Sequence, residues 1–395
     1  MNTSAAGRPF VAGLITVSQM GSSNRVGLLY ALAEHGPTSR SELARMAGVP
    51  RGSIAPIVAG LIKDGILIEL EPTGETPKVG KPSRPLWFGP RIGHAGTVRI
   101  EAGVVECARV DQRGQVRDSA QAAFGRGATT GELEDLVLKL AQEVFDRATG
   151  PLTGIGLVWP AVWDRDTGRV LSCTPIPALE GSQLVERLEQ QTSLEVFVED
   201  DARALSVGQR WFGQARNDDS FAAVQISAGI GAGLIVDGRL FSIDDQFPEI
   251  GHMVVDVFGE PCRCGRTGCW ETIAGLGWLR QQARRHGLAN WATVTPGYLV
   301  TTQGPQTKRL LDSYARNIGI GLANIAIAFG ISRFILHGEV VSGGPTLLDQ
   351  VRRHTAAQCA MPGTGQPTID LADSTHPTAL LGAAAMPLVH AIERA

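Results

Sequence analysis

The sequence predicts an α/β protein with a winged helix-turn-helix at its front and a metal-holding loop in its body. Three observations carry this. Three short amphipathic segments and a hairpin pattern occupy residues 25–88. Apolar strands alternate with helical patterns from Val98 onward. One imidazole and three thiols fall within eighteen residues, His252 to Cys269. The chain has 395 residues, 43% hydrophobic and 19% charged, enough for two or three domains with a sizeable core.

The front end is built from local signals. Val26, Leu29, Leu32 and Ala33 make one apolar helical face that ends at Gly36-Pro37. Ser39 stands three residues before Glu42, a capping box that opens a short helix with Leu43, Met46 and Ala47 inward. A third helix follows, with Ile54, Ile57, Val58, Leu61 and Ile62 at helical spacing and a stop at Gly65. Strands at 66–70 and 86–88 flank a turn-rich stretch, which completes a wing. Pro56 interrupts the third helix, which therefore either starts late, near Ser53, or is kinked.

In a winged helix-turn-helix the third helix enters the major groove of double-stranded DNA. Arg51, Ser53, Ala55, Ala59 and Lys63 face outward on it. Arg51 suits a guanine edge, Ser53 a base or phosphate, and the alanines thymine methyls. Arg40 opens the second helix, and Lys78, Lys81 and Arg84 lie in the wing, placed to neutralise phosphates. Residues 1–90 carry nine Lys/Arg against six Asp/Glu, or +3, which leaves −6 of the net −3 for the rest. That asymmetry is compatible with DNA contact but does not decide it; a small protein-interaction domain with a basic solvated face has the same signature.

From Val98 the pattern becomes α/β. Strands are expected at 98–101, 104–110, 155–159, 196–199, 221–227 and 334–337. Helices are expected at 132–147, 183–191 and 347–355, with a closing alanine-rich helix from Thr378. Asp200 and Asp201 stand at a strand end where a helix begins, a position for ligand-binding groups and equally for helix caps. Gly229, Gly231 and Gly233 suit either a phosphate approach or a tight turn.

Residues 248–271 read PEIGHMVVDVFGEPCRCGRTGCWE. His252, Cys262, Cys264 and Cys269 are suited to tetrahedral zinc. Four protein ligands leave no open coordination position, so one structural Zn²⁺ per subunit is expected. Glu249 and Glu271 bracket this loop and are positioned by it without touching the metal, which suggests a polar ligand site. Cys107, Cys173 and Cys359 are scattered singly, so no disulfide framework is indicated. The longest apolar run, Ile318 to Ile331, holds Asn324 and three glycines and reads as a core helix. No secretory pattern opens the sequence, so a cytoplasmic location and no membrane partner are expected.

These residues resemble the ROK family of repressors, open reading frames and sugar kinases, from about Arg25 onward. Glu249, Gly251, His252, Cys262, Cys264, Gly265, Gly268, Cys269 and Glu271 match its metal-loop signature, and residues 198–203 look like its E-N-D-A-N segment. The resemblance implies an actin-like, ribonuclease-H-like pair of lobes: 1–90 as the DNA-binding domain, 91–204 plus 378–395 as a small lobe, and 205–377 as a large lobe. It also implies a sugar-like effector in the interlobe cleft, with Asp200, Asp201, Glu249, His252 and Glu271 as ligand-binding residues and Asp201 at the position of the kinase base. The winged front and residues 80–86 are similar to the repressor branch.

The departures matter as much. The family's phosphate loop D-x-G-G-T is replaced by Glu101-Ala102-Gly103-Val104-Val105, so kinase activity is expected to be lost and Asp201 to be vestigial. Pro175 and Asp200 replace two family asparagines. Four carboxylates with Trp159 and Trp163 nearby suggest a cationic ligand such as an amino sugar, or a glycosylated compound. The reading is a transcriptional repressor that acts as a homodimer or tetramer on a near-palindromic operator. The alternative is an ATP-dependent sugar kinase fused to a DNA-binding domain.

Overall fold

The computed structural model describes residues 24–71, 84–147, 150–242, 248–302, 304–360 and 365–394. They fall into two compact units. One holds the chain up to Asn217 together with Thr378–Ala395, and the other is Asp218–Pro377.

The first unit opens with α1 (Asn24–His35), α2 (Arg40–Met46) and α3 (Arg51–Lys63), followed by β1 (Leu67–Glu69) and β2 (Leu86–Phe88). The two strands pair antiparallel, with Leu67 opposite Phe88. Leu28, Leu29, Leu32, Leu43, Val58, Leu61 and Leu86 are buried, so the three helices and the hairpin share one small core. Ser39 caps α2 by accepting the Glu42 amide at 3.2 Å. The expected return arm of that capping box is replaced: the Glu42 carboxylate pairs with Arg45 instead. Helix α3 starts at Arg51, not late at Ser53, and Pro56 lies inside it. A proline there leaves the Gly52 carbonyl without its helical partner. Both residues are exposed, so water can supply the missing bond.

The chain continues through β3 (His94–Glu101), β4 (Val104–Val110), β5 (Val116–Ala123), α4 (Thr130–Phe145), β6 (Leu152–Trp159), a hairpin of β7 (Val162–Trp163) and β8 (Val170–Ser172), α5 (Leu184–Thr192), β9 (Val196–Asp200) and α6 (Asp201–Phe212). The sheet order is β5-β4-β3-β6-β9. Strand β5 has no counterpart in the sequence reading. It is an edge strand whose VRDSAQAA segment leaves no residue fully buried, so it lacks an apolar alternation. Helix α4 carries a complete capping box between Thr129 and Glu132.

In the second unit β10 (Phe221–Ile226), β11 (Ile230–Val236) and β12 (Arg239–Leu240) precede α7 (Glu271–Ala274), α8 (Leu276–Arg285), α9 (Pro296–Thr301), α10 (Pro305–Phe329), β13 (Arg333–His337), α11 (Gly344–Gln358) and β14 (Thr368–Leu371). Its sheet order, β12-β11-β10-β13-β14, repeats that of the first unit: an antiparallel meander followed by two parallel strands. The apolar run from Ile318 lies in α10, with Ile318, Leu322 and Ile325 buried. No helix among the described residues is long and apolar enough to cross a membrane.

The closing helix α12 (Thr378–Glu393) returns to the first unit and packs on α6 and β6. A Cβ on Gly208 would lie 2.1 Å from the Thr378 carbonyl oxygen, and one on Gly382 1.9 Å from that of Ala204. The two helix backbones are therefore in direct contact, and neither position has room for a side chain.

Candidate functional site

The loop after Glu249 is shaped by glycines and short antiparallel bridges. Val254 pairs with Cys269 and Pro261 with Thr267. Gly265 and Gly268 take φ values of +83° and +73°, which favour glycine, and a Cβ on Gly268 would collide with the Asp256 carbonyl at 1.6 Å. Trp270 is buried behind the loop and donates its indole N–H to the Asn317 carbonyl at 2.9 Å, tying the loop to α10.

This backbone brings together the four residues expected to hold metal. The ligand atoms of His252, Cys262, Cys264 and Cys269 all lie within 4.8 Å of one another. Cys264 Sγ stands 3.6 Å from Cys269 Sγ, and Cys262 Sγ 3.5 Å from His252 Nδ1. Zn–S bonds of about 2.3 Å at tetrahedral angles put ligand atoms about 3.7 Å apart, so the donor set and its spacing fit a structural zinc ion. Bound there, the ion would close the loop and leave no position for a substrate.

The same loop fixes Glu271, the first residue of α7, and contributes a residue absent from the sequence reading. Arg263 sits between two of the cysteines. Its Nε lies 2.9 Å from Glu271 Oε1 and its Nη2 3.1 Å from Oε2, a two-pronged ion pair. The Ile230 amide donates to Oε2 at 3.1 Å. Glu249 is exposed at the other end of the loop. The glycine-rich segment resolves to the tight-turn alternative. Ser227–Gly229 close the β10–β11 hairpin, while Gly231 and Gly233 are paired within β11.

In the first unit, Asp200 caps α6, accepting the amides of Ala202 at 3.0 Å and Arg203 at 3.4 Å. Asp201 is half-buried in the first helical turn. Glu199 pairs with Arg203 at 2.6 Å. Trp159 and Trp163 are core residues, 0% and 8% exposed, and the guanidinium groups of Arg165 and Arg203 stand over the Trp163 ring at 5.5 and 5.8 Å. These contacts bear on the expected cationic or amino-sugar ligand without deciding it. The indoles it relied on are buried, and Glu271 already holds a guanidinium. At the hairpin between β3 and β4 only Ala102 and Gly103 form the turn, and Glu101 pairs with Arg99. Val104 and Val105, at the positions of the family loop's second glycine and threonine, follow directly in β4.

On the helical front, Arg51, Ser53, Ala55, Ala59 and Lys63 are all exposed on α3, while Ile54, Val58 and Leu61 turn inward. Arg40 and Arg84 converge on Glu69, at 2.5 and 3.8 Å. Lys78 and Lys81 lie outside the described residues. The front is bonded to the rest of its unit by polar contacts. Glu34 of α1 pairs with buried Arg210 of α6. Arg216 donates to the carbonyls of Ala33 and Glu34 at 3.4 and 3.5 Å. Tyr30 donates to Glu393 of α12 at 2.6 Å.

Two sheets of one repeated strand order, a Cys₃His loop and a three-helix front with a hairpin define an actin-like protein that carries an N-terminal winged helix-turn-helix. The chain belongs to the ROK family, whose model matches residues 96–390. It is 25% identical over 345 residues to the xylose repressor of Bacillus subtilis (strain 168), covering 85% of this chain and 87% of that protein. It is 25% identical over 341 residues to the N-acetylglucosamine repressor of Escherichia coli O157:H7, covering 83% of each. A solved ROK transcriptional regulator, described as a homologue of the E. coli MLC protein, superposes with a TM-score of 0.74 at 22% identity, over 94% of this chain and 98% of its own. Solved ROK sugar kinases share the fold as well.

Proposed function

We propose that the protein is a DNA-binding transcriptional repressor that releases or retains its operator according to a sugar-like effector, and that it transfers no phosphate. The exposed face of α3 supports this most directly. Arg51, Ser53, Ala55, Ala59 and Lys63 give it two cationic ends, a hydroxyl and small apolar groups, which is groove-reading chemistry. In this reading the repressor is cytoplasmic and acts as a homodimer, with one front per half-site of a near-palindrome. Arg40, Arg51, Ser53, Lys63, Lys78, Lys81 and Arg84 are the assigned DNA contacts.

The effector residues are Asp200 and Asp201 at the start of α6 and Glu249, His252 and Glu271 on the metal loop. Zinc held by His252, Cys262, Cys264 and Cys269 fixes that loop. Helix α6 spans about 18 Å at 1.5 Å per residue. It begins at the aspartates and carries Arg210 in its last turn, whose partner Glu34 belongs to the proposed DNA-binding front. A ligand that favours one placement of α6 therefore biases α1 through that ion pair. For this to regulate, the ligand must bind the two placements with different affinity.

The kinase alternative has Asp201 in its favour and the Glu101 hairpin against it. The test is titration of a DNA-bound, zinc-loaded sample with a sugar panel in the presence of ATP. We expect one sugar to change DNA affinity severalfold without ADP forming. Multiple-turnover ADP release would overturn the reading. DNA affinity that no sugar alters would leave a constitutive DNA-binding protein.

A further inference from the structure

We propose that Arg263 is a specificity-determining residue of the effector site: as the resident counter-ion of Glu271, it selects for neutral, hydroxyl-bearing sugars and against protonated amino sugars. This rests on the reading of Glu271 as an effector-binding residue.

The geometry is specific. Arg263 puts Nε 2.9 Å from one carboxylate oxygen and Nη2 3.1 Å from the other, and the Ile230 amide takes a third acceptor position at 3.1 Å. A carboxylate has about four lone-pair sites, so one remains for a ligand. The contact is enclosed on one side by the β10–β11 turn. A Cβ on Gly229 would lie 2.8 Å from Glu271 Oε2 and 2.9 Å from Arg263 Nη2, so the turn rests directly on the ion pair. The Glu271 side chain is 10% exposed and that of Arg263 50%, so the carboxylate is held while the guanidinium faces solvent along one edge.

A hydroxyl can donate to the remaining lone pair without disturbing the fork. An ammonium brought to the same oxygen meets a guanidinium already there, and either the two cations repel or Arg263 must leave. The backbone of Arg263 is anchored where Cys262 and Cys264, on either side, would hold the metal, and the fork to Glu271 holds its guanidinium in place. The loop that carries the zinc thus sets the charge of the site as well as its shape. Had Glu271 stood alone, the preference would run the other way.

Removing one positive charge about 4 Å from a bound ammonium in a water-exposed setting is worth about a fivefold to tenfold change in relative affinity. The experiment is calorimetric titration of the full-length, zinc-loaded chain with D-glucose, D-xylose and protonated D-glucosamine at mildly acidic pH. It compares the wild type with Arg263→Ala and Arg263→Lys. Zinc content and melting temperature of each variant check that the loop is intact. We expect the wild type to favour a neutral sugar, Arg263→Ala to raise the glucosamine-to-neutral affinity ratio about fivefold to tenfold, and Arg263→Lys to stay near wild type. An unchanged ratio in an intact Arg263→Ala protein that still binds sugar would overturn the role of Arg263 and leave the effector reading standing. Failure of every sugar to bind any intact form would remove the effector reading, and this inference with it.

Discussion

Arg51 is the residue on which DNA discrimination should depend most. It opens α3, is exposed, and is the one arginine of that helix, whose planar fork matches the guanine edge. Arg51→Ala should cost about 1–3 kcal/mol on a cognate duplex and relax the preference at one base position. Lys63→Ala should instead weaken binding to all duplexes alike and flatten the salt dependence, which anisotropy titrations at several salt concentrations would separate. His337, at the end of β13, offers a pH test. Burial, with His376 adding to it, pushes its pKa down to about 4. The unfolded chain then binds a proton that the folded chain refuses between about pH 6.5 and 4. The folded form accordingly loses up to roughly 3 kcal/mol as pH falls through that window and loses nothing above it. Thermal melts across the window should show a shallower slope for His337→Asn; an equal slope would mean that the ring takes up its proton without unfolding.

Among the elements, the α6–α12 crossing and the metal loop make the firmest claims. Gly208→Ala forces a methyl group against the Thr378 carbonyl, where backbone rather than a flexible side chain must yield. A destabilisation of about 1–3 kcal/mol is expected by denaturant titration. Chelating the zinc, or Cys269→Ser, should lower the melting temperature and abolish sugar response before DNA binding is lost, because α3 takes nothing from the loop. Elements with a strong local signature were legible in the sequence. The metal set showed by its spacing, α2 by Ser39 and Glu42, and β2 by its bounds. Strand β5 was not, because an exposed edge needs no apolar alternation. Of the two alternatives that Pro56 left open, a late start is excluded, because α3 begins at Arg51 and carries Pro56 in its interior. Arg263 was illegible for another reason. Its charge and its place between two cysteines were visible, but its pairing with Glu271 depends on how the loop folds back, which only tertiary structure supplies.

For the whole molecule, the proposed coupling of DNA binding to a sugar-like effector runs through α6 and the Glu34–Arg210 pair. Replacing both partners, Glu34→Gln with Arg210→Met, avoids leaving a buried charge unpaired and should keep DNA affinity within a few-fold. The change in that affinity on adding effector should largely vanish; if it persists at full size, coupling runs by another route. The helical front was legible from local patterns, whereas the paired lobes were legible only through the family resemblance, since strand order is set by tertiary pairing. The charge balance around Glu271, a proposed effector residue, was not legible, since it arises from Arg263 meeting that carboxylate as the loop folds back. The central claim is sequence-specific DNA binding, and selection from a random duplex pool with zinc-loaded protein tests it most directly. The account predicts an enriched near-palindrome that an Arg51→Ala variant fails to select. A folded, zinc-loaded protein that enriches no sequence at any salt concentration would contradict it.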